Sequence, residues 1–154
     1  MIIDALVPDA NFVSARHIDV AAPAERVWEV LPELPAALRN SRLAAVAAGP
    51  LLVASLVRGE RGLGNAEFKV DRVDEGREVV LTGRHRLADF ATSFYVEPMG
   101  ADRTRLHNVT RARFKTSITG RLYLAGVHLF HDVYIDWMLR LLRRLAEAEK
   151  ALAV

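Results

Sequence analysis

The sequence predicts an α+β protein, an antiparallel sheet followed by one long C-terminal helix. Three observations predict it. Residues 104–114, TRLHNVTRARF, alternate with a period of two, the signature of a strand with two unlike faces. Two further strand-like runs, 66–74 and 78–86, are joined by the turn-forming EGR. From about 119 to 152 the apolar residues recur at helical spacing, a helix long enough to cross a domain of this size. With 154 residues and no repeat or low-complexity linker, a single domain over 1–154 is expected.

Taken in order, residues 11–20 read as a strand with Ser14, Arg16, Ile18 and Val20 on one face and Ala15, His17 and Asp19 on the other. AAPAERVWEVL then starts a helix. Pro23 sits near its first turn, where a missing N–H costs little, and Val27, Trp28, Val30 and Leu31 form its apolar side. Pro32 and Pro35 end or kink it. Segment 36–58 is helical by alanine content up to Gly49–Pro50, and LLVASLVR after it reads equally as a short helix or a buried strand. GERGLGNA is a turn-rich connection that matches no phosphate-binding loop. In FATSFYVE the inner set is Phe90, Thr92, Phe94 and Val96. In the last strand it is Leu106, Asn108, Thr110, Ala112 and Phe114, and the arginine side faces water.

Composition narrows the function. The chain is 51% hydrophobic and 26% charged, as folded proteins are. Its net charge is +2 although the pI is 9.3, because 18 of the 21 basic residues are arginine. Those arginines are scattered, so no nucleic-acid partner is expected. Without cysteine there is no disulfide, thiolate nucleophile or Cys-ligated metal. The N-terminus has Asp4 and no basic run, so no secretory signal is expected. The longest uncharged run, 43–57, is too short to span a bilayer. A cytoplasmic protein is expected.

The stretch 126–142, GVHLFHDVYIDWMLRLL, sets the chemical question. On a helical wheel His128, His131, Asp132, Asp136, Arg140, Arg143 and Glu147 share one sector, and Val127, Phe130, Tyr134, Trp137, Met138, Leu141 and Leu145 oppose it. Arginines on the polar sector repel a cation, so it reads as a solvated face and no metal is expected. The aromatic sector reads as core, with the Tyr134 hydroxyl in need of a partner.

The order of elements, with HIDVAAPAERVWEVL at the start and RTRLHNVTRARF then GRLYLAGVHLFHDVYIDWMLRLLRRLAE at the end, resembles the SRPBCC superfamily, START/Bet v 1-like proteins with a helix-grip fold. The ending looks like that of bacterial members described as polyketide cyclase/dehydrase-like or lipid transport-like. The resemblance covers nearly the whole chain. It implies a bent sheet wrapped around the long helix, short helices after the first strand, and a cavity between sheet and helix. Phe68, Val70, Phe94, Asn108, Thr110, Phe130, Tyr134, Trp137 and Met138 become candidate lining for a hydrophobic small molecule such as a lipid, a quinone or an aromatic, polyketide-like metabolite, with no cofactor. A second reading is a cyclase/dehydratase-type enzyme. His85 and Tyr134 would supply acid–base chemistry and Arg72 would polarise a carbonyl. A third is peripheral docking of 43–57 on a membrane or partner. The oligomeric state is left open.

Overall fold

Four strands follow one another as an antiparallel meander, and the first strand of the chain closes the far edge. The computed structural model of the protein describes residues 2–33, 69–85, 88–115 and 118–148. The elements are α1 (Ile2–Leu6), β1 (Phe12–Val20), α2 (Ala24–Val30) with a 3-10 turn at Leu31–Glu33, β2 (Lys69–Asp74), β3 (Glu78–His85), β4 (Ala88–Gly100), β5 (Arg103–Phe114) and α3 (Ile118–Glu147). The sheet order is β1-β5-β4-β3-β2, antiparallel throughout. Segment 43–57 and Phe68 lie outside the described residues.

The turn between β2 and β3 has the expected chemistry. Arg77 N–H donates to the Asp74 carbonyl at 3.0 Å, and Gly76 holds φ +75°, where a Cβ is disfavoured. Between β3 and β4 another glycine is required by packing. Gly83 pairs with Phe90, and a Cβ on Gly83 would run into the Phe90 ring.

Alternation fixes what each face meets. On the concave face, β5 presents Thr104, Leu106, Asn108, Thr110, Ala112 and Phe114, all buried, and β1 presents Phe12, Ser14, Arg16, Ile18 and Val20. The inner sets read from β4 and β5 hold. α3 lies along β1 and β5, and α2 packs between α3 and the sheet. The main core gathers Val20, Val27, Val30, Phe94, Val96 and Leu106 with Ile135, Met138, Leu139 and Leu142 of α3. A second cluster, Phe12, Ala88, Ala112 and Phe114, sits toward the other end of the sheet.

The convex face is partly covered. Ile3 and Val7, 0% and 5% exposed, pack with Ala91 and Val109 beneath α1. Arg111 donates to the Asp4 carboxylate at 2.7 Å and to the Val7 carbonyl at 3.2 Å. The arginine side of β5 is thus not simply solvated; the other arginines there pair with Asp19 and Asp89.

Candidate functional site

A row of three hydroxyls crosses the concave face. Thr92, Thr110 and Ser14 occupy adjacent strands in direct register, Thr92 opposite Thr110 and Thr110 opposite Ser14. One step along, Asn108 lies between Phe94 and Arg16. Inward-pointing polar residues survive burial only if bonded, and these are. Asn108 Nδ2 donates to Thr92 Oγ1 at 2.9 Å and to the Ser93 carbonyl at 3.2 Å. Thr110 Oγ1 donates to Asn108 Oδ1 at 3.2 Å, and the Thr92 and Thr110 hydroxyls are 3.0 Å apart. Ser14 Oγ donates to Asp132 Oδ1 at 2.8 Å, which carries the polar row from the sheet onto α3. The row separates the two apolar clusters.

The polar sector of α3 is therefore not a plain solvated face. Arg16 reaches Asp132 at 2.7 Å and Asp136 at 3.7 Å across the β1–α3 seam. The His131 ring stands edge-on to Phe12, 4.9 Å between centroids, and its side chain is 15% exposed. Burial, the largest influence on Asp132, pushes its pKa up. The Ser14 and His131 hydrogen bonds and the Arg16 charge outweigh it and hold the carboxyl below its usual range.

The aromatic sector of α3 faces the other way. Tyr134 and Trp137 are half-buried against the main core, their rings 6.0 Å apart and tilted by 30°. Val79 and Leu81 of β3 are half-buried against the same core, opposite Phe94 and Thr92 in register. The Tyr134 hydroxyl has no hydrogen-bond partner among the described residues, and burial pushes its pKa up.

The structure brings together part of the residue set expected from the sequence. Asn108 and Thr110 share the concave face of the sheet with Phe94, and Phe94 packs in one core with Met138, Tyr134 and Trp137 of α3. Phe94 and Met138 are packed into the core itself at 2% and 4% exposure. Position 70 pairs with Leu81 on the inner row, and position 85 pairs with Ala88 in the same phase as Val79 and Leu81. The side chains of Val70, His85 and Phe130 lie outside the described residues. Arg72 is corrected. A bulge between Val70 and Arg72 sets Arg72 opposite Val80 rather than Val79, which moves it off the inner row, and it is exposed. Ser14, Arg16, Asp132 and Asp136 were missing from the expected set, although Ser14 and Arg16 were placed on one strand face. A helical wheel does not say which strand a polar sector meets.

Among the described residues no helix is long and apolar enough to cross a membrane. No family model matches the chain, and no curated protein matches it. Solved structures do. A norcoclaurine synthase from Thalictrum flavum, a point mutant in complex with a transition-state analogue, is similar at 14% identity over 90% of this chain and 96% of that one, with a TM-score of 0.53. A START superfamily protein from Mycobacterium smegmatis is similar at 12% identity over 86% and 98%, with a TM-score of 0.50. An aromatase/cyclase from Streptomyces sp. R1128 shows 15% identity over 86% and 94%, with a TM-score of 0.49. At these identities the likeness is one of architecture. A five-stranded antiparallel sheet with a long C-terminal helix along its concave face, matched over most of the length of both chains, gives this protein a START/Bet v 1-like helix-grip fold.

Proposed function

We propose that the protein binds a hydrophobic small molecule between the concave face of the sheet and α3. The Tyr134 hydroxyl carries this reading. The side chain is half-buried against the core beside the Trp137 ring, and its hydroxyl makes no hydrogen bond among the described residues. An apolar surround with one unclaimed polar group is what a site for an apolar molecule with a polar end requires. In this reading Tyr134, Trp137 and Thr110 contact the ligand, with Asn108, Phe94 and Met138 behind them. Phe68, Val70 and Phe130 join the lining as the sequence expects. The protein acts in the cytoplasm as a single domain and needs no cofactor.

Cyclase/dehydratase chemistry is the weaker reading. Arg72 is exposed, and a phenol whose pKa is raised stays protonated at neutral pH, a donor rather than a base. Native mass spectrometry of gently purified protein tests the binding reading. The expected result is a bound small molecule lost on denaturation, or, for a clean preparation, quenching of tryptophan emission when 4-butylphenol is added. No retained mass and no response to that probe from folded protein would overturn it.

A further inference from the structure

The hydroxyl row dictates which polar group a ligand can present to it. Counting protons shows why. Asn108 commits both side-chain N–H groups, to Thr92 Oγ1 and to the Ser93 carbonyl. Thr110 commits its only hydroxyl proton to Asn108 Oδ1. The 3.0 Å contact between the two threonines must then be a bond donated by Thr92 and accepted by Thr110. The three side chains close a ring, Asn108 to Thr92 to Thr110 and back to Asn108. Ser14, next in the row, commits its proton to Asp132. Every side-chain proton in the row is thereby engaged within the protein. Each hydroxyl oxygen retains an open lone pair, and Thr92, Thr110 and Ser14 keep 8%, 7% and 9% exposure.

A row that accepts and cannot donate discriminates between ligands. The geometry points to a ligand that directs a hydrogen-bond donor, a hydroxyl or an amine, at Thr92 and Thr110, and to rejection of ether, carbonyl or carboxylate oxygens at that position. An acceptor placed there meets only lone pairs unless a bond of the ring breaks, and a broken bond leaves a buried partner unsatisfied. The inference rests on the proposed binding site and specifies its ligand class.

Three probes on one butylbenzene scaffold test it: 4-butylphenol, 4-butylanisole and butylbenzene, titrated against the full chain by tryptophan fluorescence and checked by ligand-observed NMR. The phenol donates, the anisole only accepts, and butylbenzene does neither. The phenol is expected to bind about three- to tenfold more tightly than the other two. In Thr92→Val/Thr110→Val the preference should shrink to within about twofold while butylbenzene still binds, and Thr92→Ser should keep it. Anisole binding as tightly as phenol, or a preference that survives in the double valine variant, would overturn the inference and leave the binding reading standing. If none of the three probes binds folded protein, the binding reading fails, and the inference with it.

Discussion

The hydrogen at Gly83 is as much a part of the fold as any side chain. A methyl there would run into the Phe90 ring, which packs against the cluster of Phe12, Ala88, Ala112 and Phe114. Gly83→Ala is expected to destabilise the protein by about 1–3 kcal/mol, the range for overpacking. Phe90→Leu in the same background should return part of that loss, a coupling that a double-mutant cycle by urea denaturation measures. Tyr134 behaves in the opposite way. Its hydroxyl bonds to nothing among the described residues, so Tyr134→Phe should change stability by no more than about 0.5 kcal/mol. The same variant should weaken binding of 4-butylphenol by about three- to tenfold if Tyr134 contacts the ligand. The pH dependence has a definite sign. Burial raises the folded pKa of Tyr134 above that of the unfolded chain, so the unfolded state loses its proton first. Its contribution is fully present below about pH 10 and falls as pH rises through the folded value. Wild type should therefore lose more stability than Tyr134→Phe between neutral pH and about pH 11.

At the level of elements, the β1–α3 seam is where the expectation from sequence was least complete. The wheel put the charged and the aromatic residues of α3 on different sides, but the buried positions Ile135, Leu139 and Leu142 belong to neither set. It could not show that Asp132 and Asp136 meet Arg16, because that contact joins residues more than a hundred positions apart. Ser14 and Arg16 were legible as sharing one face of β1 with Ile18 and Val20, yet their role depends on the helix that crosses them. Arg72 failed for a different reason, since a single-residue bulge reverses every face downstream and leaves no clear mark in the sequence. The seam makes a prediction of its own. Asp132 holds the Ser14 hydroxyl and the Arg16 guanidinium together, but it is 43% exposed, so solvent weakens both. Asp132→Asn is expected to cost about 0.5–1 kcal/mol at pH 7. The folded carboxyl titrates below the unfolded one, so its contribution is present above about pH 4 and disappears as pH falls through the folded value. Denaturation curves of the variant and wild type should differ at neutral pH and converge in acid.

For the molecule as a whole, the alternation in β4 and β5 was enough to assign their inner residues, and the helical repeat was enough to find α3. That the sheet bends around the helix was implied by the family resemblance, not by the periodicity. What lies on the convex face was not legible. Period-two alternation says which residues share a side of a sheet and nothing about what packs there, and a five-residue helix is too short to announce itself by periodicity. Yet α1 buries Ile3 completely against the convex face, the opposite side from Thr92, Asn108 and Tyr134. The two faces should therefore respond independently to mutation. Ile3→Ser removes apolar burial and places a hydroxyl under the helix, so a loss of about 1–3 kcal/mol is expected. Local release of α1 caps the cost, because a peripheral helix can open without unfolding the sheet. Binding is a separate matter. The concave face reaches the ligand through residues that do not touch α1, so the affinity for 4-butylphenol should stay within about twofold of wild type at temperatures where the variant is folded. Thermal denaturation gives the first quantity and fluorescence titration the second. A variant that lost binding in proportion to stability would mean that the two faces are mechanically coupled through the strands, and the division of labour between them would have to be abandoned.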